Sequence, residues 1–398
     1  MAKQKQYLIP FCVALITLYI VCAVMFYRMA ISYQGIGGTY WSDVSIRIEQ
    51  FLAGEKTYSL FIYPEYFFAT SFDLSIGSVF IGLYLAAFVV GTVLLIFVLL
   101  KRLCPNVSLG LLAAISFVSV FVMPINVPVL SEYIYNSYCG SVWHNESYLG
   151  MRFFALLVLL FFLKTNESYL KKFSPKEFAL GCVLVFVVNF VKPNFIIAFA
   201  PALLVMMIVD IAKAKGSGFL RWLLYGATVL VGCLILPFQY LLLFNEAETN
   251  EDPGVIFVLG DFILCQKHPL LNILFALMFP ILVFIIHRKE LVRSKFHMVC
   301  LLAWVFAWLE YAFLAEGGSR YGDGNFSWGL QLFTFVVFCL SLGFYSNDLQ
   351  RYLNTRREKL PKKKNIMLFV ESILLALHLY CGILYFFAVF FGKCGFLM

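Results

Sequence analysis

The sequence predicts an all-α protein, a polytopic bundle of transmembrane helices with about eleven spans. Three observations predict it. Hydrophobic residues fill 62% of the 398 positions and charged residues only 13%, where a soluble domain carries roughly 25% charged residues. Apolar runs of about 20 residues recur along the chain, the length needed to cross about 30 Å of hydrocarbon. Lys and Arg gather in every second connection, as they do in cytoplasmic loops.

The expected spans are, in order, Tyr7 to Tyr27, Ile76 to Leu100, Val107 to Met123, Ser147 to Leu163, Phe178 to Val191, Phe195 to Ile211, Trp222 to Phe244, Pro269 to Ile286, Phe296 to Leu314, Leu330 to Tyr345 and Ile366 to Phe391. The basic groups alternate with them: Lys3 and Lys5, then Lys101 and Arg102, Lys164 to Lys176, Lys213 to Arg221, Arg288 to Lys295, and Arg351 to Lys364. By this assignment 22 of the 30 basic residues lie on the N-terminal side. The rule then places the N-terminus in the cytoplasm and the C-terminus outside a cell membrane. The first span reads as a retained helix, because Arg28 and Met29 follow it in place of a small-residue cleavage site. The chain reads as one integral membrane domain, 1–398, with a long first outer loop at 28–75 and a basic cytoplasmic loop at 346–365.

The net charge of +8 follows from these loops. It signals topology rather than nucleic-acid binding, and the run Arg356 to Lys364 suits anionic headgroups of membrane lipid. The eleven cysteines form no CxxC pair, so neither a metal nor a redox cofactor is expected.

Within the first outer loop, SDVSIRIEQFLAGE (Ser42 to Glu55) has helical periodicity, an N-cap in Ser42 or Asp43, and a stop at Gly54. A second short helix is expected between Tyr58 and Phe72, both lying on the membrane face. The outer side also holds SEYIYNSYCGSVWHNES, the tight Lys192-Pro193-Asn194 link, an acidic loop from Asn245 to His268, and EGGSRYGDGNFSWG from Glu316 to Gly329.

The candidate site residues are the polar ones on that side. Asp43 could serve as a general base or simply as a cap. Lys192 departs from the inward sorting of basic residues; it is either a phosphate-binding charge or a lysine reaching for the surface from a helix end. Arg320 suits phosphate, or pairs with Glu316 or Asp323. Arg152, inside the fourth span, pairs with Glu146 or reaches the same site. Glu310, an intramembrane carboxylate, is a functional candidate by default or the partner of Lys192 or Arg320. Trp143, His144 and Asn145 form a cluster that could stack on and bond to a sugar, and Asn325 lies in the Gly-rich fifth loop.

This layout resembles the GT-C glycosyltransferases. A closer resemblance is to a group of bacterial polytopic membrane proteins without an assigned activity, through Ser42-Asp43-Val44, the WHNxxYL-like Trp143 to Leu149, KPxF at Lys192 to Phe195, and GNFSWG at Gly324 to Gly329. The GT-C likeness implies a polyprenyl-phosphate-linked sugar donor used at the outer face, in surface-polysaccharide or glycolipid assembly. It also implies Asp43 as the first-loop catalytic carboxylate. The paired acidic motif of some members is absent, since Val44 follows Asp43, which implies single-carboxylate chemistry without metal. Two rivals stand beside it: a transporter or flippase of a polar lipid or glycolipid, and a non-catalytic partner of a polysaccharide polymerase.

Overall fold

The computed structural model describes residues 2–32, 42–54, 57, 59–127, 135–244, 254–264, 266, 268–355 and 361–392. Residues 33–41, most of the acidic loop, Cys265 and the stretch 356–360 lie outside the described residues.

In hydrocarbon the backbone must satisfy its own hydrogen bonds, so apolar runs become helices. Each expected span overlaps a helix or a helix pair, although only 109–119 of the span 107–123 is helical. In chain order the elements are α1 (Ala2–Ile31), α2 (Asp43–Leu52), α3 (Tyr63–Ser71), α4 (Leu74–Leu103), α5 (Leu109–Ser119), α6 (Glu146–Thr165), α7 (Pro175–Val191) and α8 (Asn194–Lys213). Then follow α9 (Phe219–Cys233), α10 (Ile235–Phe244), β1 (Val255–Phe257), α11 (Asp261–Leu264), α12 (Pro269–Ile286), α13 (Arg288–Arg293), α14 (Lys295–Phe313), β2 (Leu314–Glu316), a tight 3-10 turn (Gly318–Asp323), α15 (Ser327–Asn354) and α16 (Lys362–Phe390).

The protein is an all-α polytopic bundle. Among the described residues, nine helical segments are long and apolar enough to cross a membrane. Two of the expected spans are shorter. With 17 residues, α7 rises about 25 Å, and with 11 residues, α5 rises about 16 Å, roughly half the hydrocarbon thickness. The chain beyond α5 is non-helical, and its backbone is met by neighbours: Ile125 N donates to the Phe275 carbonyl at 3.1 Å, and the Met123 carbonyl lies 2.6 Å from His378 Nδ1.

One helix is central. The apolar part of α15 is 94% buried, against 28% for α1 and α12. Helices α5, α8, α12, α14 and α16 pack around it. At the edge of the bundle α1 lies along α4, where Gly82 lets the backbones touch. One small departure from the all-α expectation is the antiparallel pair β1–β2, with Val255 opposite Glu316.

The two short helices expected in the first outer loop form as α2 and α3. Ser42 caps α2, its hydroxyl accepting from Ser45 N, and Gly54 follows the last turn at φ +88°. That left-handed position needs glycine.

Basic residues occupy the last turns of α4, α6, α8 and α15 (Lys101 and Arg102, Lys164, Lys213, Arg351). Cations are favourable at helix C-termini. The polar residues discussed next lie at the opposite ends of these helices.

A Cβ on Gly82 would lie 2.5 Å from the Ala23 carbonyl oxygen and 3.0 Å from Tyr27 N. Gly82→Ala should therefore force α1 off α4 and cost about 1–3 kcal/mol. A thermal melt in detergent should show a lower midpoint for Gly82→Ala than for Gly322→Ala, whose Cβ meets nothing within 4 Å.

Candidate functional site

Four chain segments meet at one end of the bundle. The start of α2, the link before α6, the link between α7 and α8, and the approach to α15 together line a polar cavity of about 470 Å³. This volume is in the range typical of small-molecule sites.

The α2 segment supplies Asp43. Because Ser42 takes the capping role, the Asp43 side chain is left for another partner. Its backbone N donates to the His144 carbonyl at 3.0 Å, and its carboxylate accepts a short hydrogen bond from Asn145 Nδ2. Asn145 has a second task as the N-cap of α6: its Oδ1 accepts from Tyr148 N at 2.7 Å and from Ser147 Oγ at 2.9 Å. One amide thus starts a helix and orients a carboxylate.

Lys192 ends α7 and is 5% exposed. Its Nζ donates to Ser147 Oγ at 3.1 Å and sits 4.1 Å from the centre of the Trp328 ring. Burial pushes its ammonium down to about 7, against the pull of Asp43 and Glu146. Desolvation disfavours a charged amine, and nearby carboxylates only partly offset this. Pro193 follows at once and Asn194 opens α8; Asn194 Nδ2 donates to the Asn325 carbonyl at 2.8 Å, which ties this link to the start of α15.

His144 presents Nδ1 to the Tyr385 hydroxyl at 2.8 Å, and Tyr135 packs edge-on against its ring. Burial lowers the imidazole below its ordinary value, so it is neutral at pH 7. Arg320 is held by Glu316, Nε to Oε2 at 2.6 Å, and lies 3.6 Å from Asp323. The Glu316 carboxylate also accepts from Asn325 Nδ2 at 2.8 Å, and Asn325 Oδ1 accepts from Trp328 Nε1 at 3.2 Å. The GNFSWG segment is compact because Gly329 faces the Asn194 carbonyl, where a Cβ would approach to 3.1 Å.

Of the nine residues singled out in the sequence, Asp43, His144, Asn145, Lys192, Arg320 and Asn325 line this cavity. Trp143, Arg152 and Glu310 do not. Trp143 precedes His144 on a non-helical stretch and packs between Phe121 and Phe386, away from the cavity. Arg152 is fully buried within α6, its guanidinium over the Phe335, Trp143 and Tyr148 rings. No hydrogen bond or ion pair joins it to Glu146 among the described residues. Glu310 lies beside Gly329 and has no hydrogen bond to Lys192 or Arg320.

The cavity also contains residues that the sequence did not single out: Arg47, Gln50, Tyr135 and Trp328. Arg47 stands one helical turn beyond Asp43, a spacing that places both on one face of α2. That spacing was the available signal, since Arg47 also departs from the inward sorting of basic residues.

A second cavity of about 360 Å³ adjoins the first and shares Asn325 with it. It is largely apolar, lined by Ile197, Leu236, Pro237, Val255 and Phe326 among others. Among the described residues no group of three or more His, Cys, Asp or Glu is placed to hold a metal ion. No protein-family model matches the chain, and no curated protein matches it significantly.

Arranged so, the cavity presents a carboxylate fixed by an amide, a buried amine and a guanidinium pair to one volume. Because Lys192 loses its proton near pH 7, acetic anhydride should modify it readily at pH 8 and scarcely at pH 6, as read by mass spectrometry against exposed Lys172. Binding of inorganic phosphate should weaken over the same rise in pH, because the cation is lost on the alkaline side.

Proposed function

We propose that this protein is a membrane glycosyltransferase of the GT-C type, taking sugar from a polyprenyl-phosphate donor at the outer face in surface-polysaccharide or glycolipid assembly. The convergence of Asp43, Lys192, Asn145 and Arg320 on one cavity carries this reading. In the same reading the chain crosses the membrane about eleven times, with its N-terminus in the cytoplasm and the cavity outside.

In this mechanism an acceptor hydroxyl gives its proton to Asp43. The acceptor oxygen forms a bond to the anomeric carbon as the bond from that carbon to the phosphate oxygen breaks. The electron pair leaves on the phosphate, and Lys192 meets its growing charge, with Arg47 and Arg320 around it. His144 and Asn325 would bond to sugar hydroxyls. The adjoining apolar cavity supports an amphiphilic donor, because a hydrocarbon chain can occupy it while the head group lies in the polar one.

Transfer from a polyprenyl-phosphate sugar should be measured on purified protein in nanodiscs. Asp43→Asn should reduce the rate about 10²–10⁴-fold, the usual worth of a general base, with donor binding retained, whereas Lys192→Gln should weaken binding. Full transfer by Asp43→Asn would overturn the mechanism. Lipid flipping in proteoliposomes without transfer would favour a flippase, and failure to bind the donor would favour a partner of a polymerase.

A further inference from the structure

Behind the cavity lie two carboxyl side chains that no step above uses. Glu65 of α3 and Glu146, the first residue of α6, are both 0% exposed. Neither carboxylate oxygen of either residue has a hydrogen-bond partner among the described residues. Exposed carboxylates are solvated by water and buried ones are normally paired, so this arrangement is costly for two negative charges.

Packing brings the two elements together. The Phe61 ring, one turn before Glu65, fills the space beside Gly150, one turn after Glu146; a Cβ there would meet that ring at 2.5 Å. Tyr84 of α4 closes the other side, its hydroxyl donating to the Phe61 carbonyl at 3.1 Å. The same segment reaches α7, with Ser59 Oγ donating to the Val191 carbonyl at 2.8 Å, immediately before Lys192.

The charges facing each carboxyl differ. Glu65 faces Glu146 from α6, while Tyr84 from α4 lies close to it. Glu146 faces Asp43 and Arg47 from α2 and Lys192 from the end of α7, with Glu65 beside it. Lys192 in turn faces Asp43, Glu146, Arg47 and Glu316. Among the described residues the cations Arg47 and Lys192 act on Glu146, whereas the charge acting on Glu65 is that of Glu146.

We propose that the pair carries one proton, held on Glu65, and that the charge left on Glu146 acts beside Asp43 as a counter-ion favouring the cationic form of Lys192 at the cavity. Glu146 is then a positioning residue acting through Lys192, and Glu65 is a neutral acid that fills the interior without adding a second charge. Burial, then the neighbouring Glu146, holds the Glu65 carboxyl well above the ordinary carboxylate range, in agreement with this division. The proposal concerns the resting protein and does not depend on what the cavity binds.

Two measurements on the full-length protein in nanodiscs test it. The infrared difference spectrum of the native protein minus Glu65→Gln at pH 7 should show the C=O stretch of one buried protonated carboxylic acid, a subtraction that cancels any band from the buried Glu310 and Glu371. Glutamine is isosteric with the neutral acid, so this variant is expected to fold. The pH midpoint for acetylation of Lys192 should fall by about one unit in Glu146→Gln, the size expected for losing a close opposite charge, and stay in place in Glu65→Gln. A difference spectrum that lacks this band overturns the assignment. So does an equal shift of the Lys192 midpoint in both variants. The infrared result on Glu65→Gln decides the proton's place even where Glu146→Gln fails to fold.

Discussion

The carboxamide of Asn145 joins the two halves of the site. Its oxygen takes the orphan backbone N–H of Tyr148 and the Ser147 hydroxyl at the start of α6, and its nitrogen holds the Asp43 carboxylate. An aspartate at this place would cap the helix but repel Asp43, and a serine could not span both tasks. The loop helix α2 is thereby tied to the spanning helix α6 through a side chain rather than through buried area. The backbone bond from Asp43 N to the His144 carbonyl repeats the link one residue away. Where the α2 face sits, and so where Arg47 and Gln50 sit, depends on this junction.

The second constraint is charge in a poorly solvated place. Lys192 is nearly enclosed, yet it reaches the cavity with a hydroxyl and an indole face as its direct contacts. Arg320, by contrast, is matched by Glu316 and Asp323. Of these two cations, the amine is the one whose charge is sensitive to its surroundings, and the guanidinium is the one held in place. Under the proposed glycosyl transfer, that difference suits a site in which new negative charge develops on a leaving phosphate. Arg152 shows another solution, a cation enclosed by aromatic rings in the middle of α6.

Much of this was legible in the sequence. Hydropathy marked the helices, because spanning backbone in lipid has almost no alternative to the helix. The sorting of basic residues marked Lys192 and Arg320 as exceptions, and both line the cavity. The segments at Ser42, Trp143, Lys192 and Gly324 also meet there, although they lie far apart in the chain. Less legible were features set by rotation about a backbone. Trp143 and His144 are neighbours, yet only His144 lines the cavity, because the Trp143 ring is taken up by Phe121 and Phe386. The ends of α5 were equally hidden, because its apolar run continues into non-helical chain whose backbone bonds to α12 and α16.

By itself, then, the sequence determined a many-helix membrane bundle and a polar end gathered opposite its basic end, because both follow from the transfer of single residues between water and hydrocarbon. Only the tertiary structure decided which polar residues share a volume. It brought Asp43 under the Asn145 amide, placed Arg320 against Glu316, kept Arg152 and Glu310 out of the cavity, and set Glu65 and Glu146 behind Lys192. Those outcomes depend on contacts between helices distant in the chain, and a side chain's exposure along one helix carries no information about which other helix covers it.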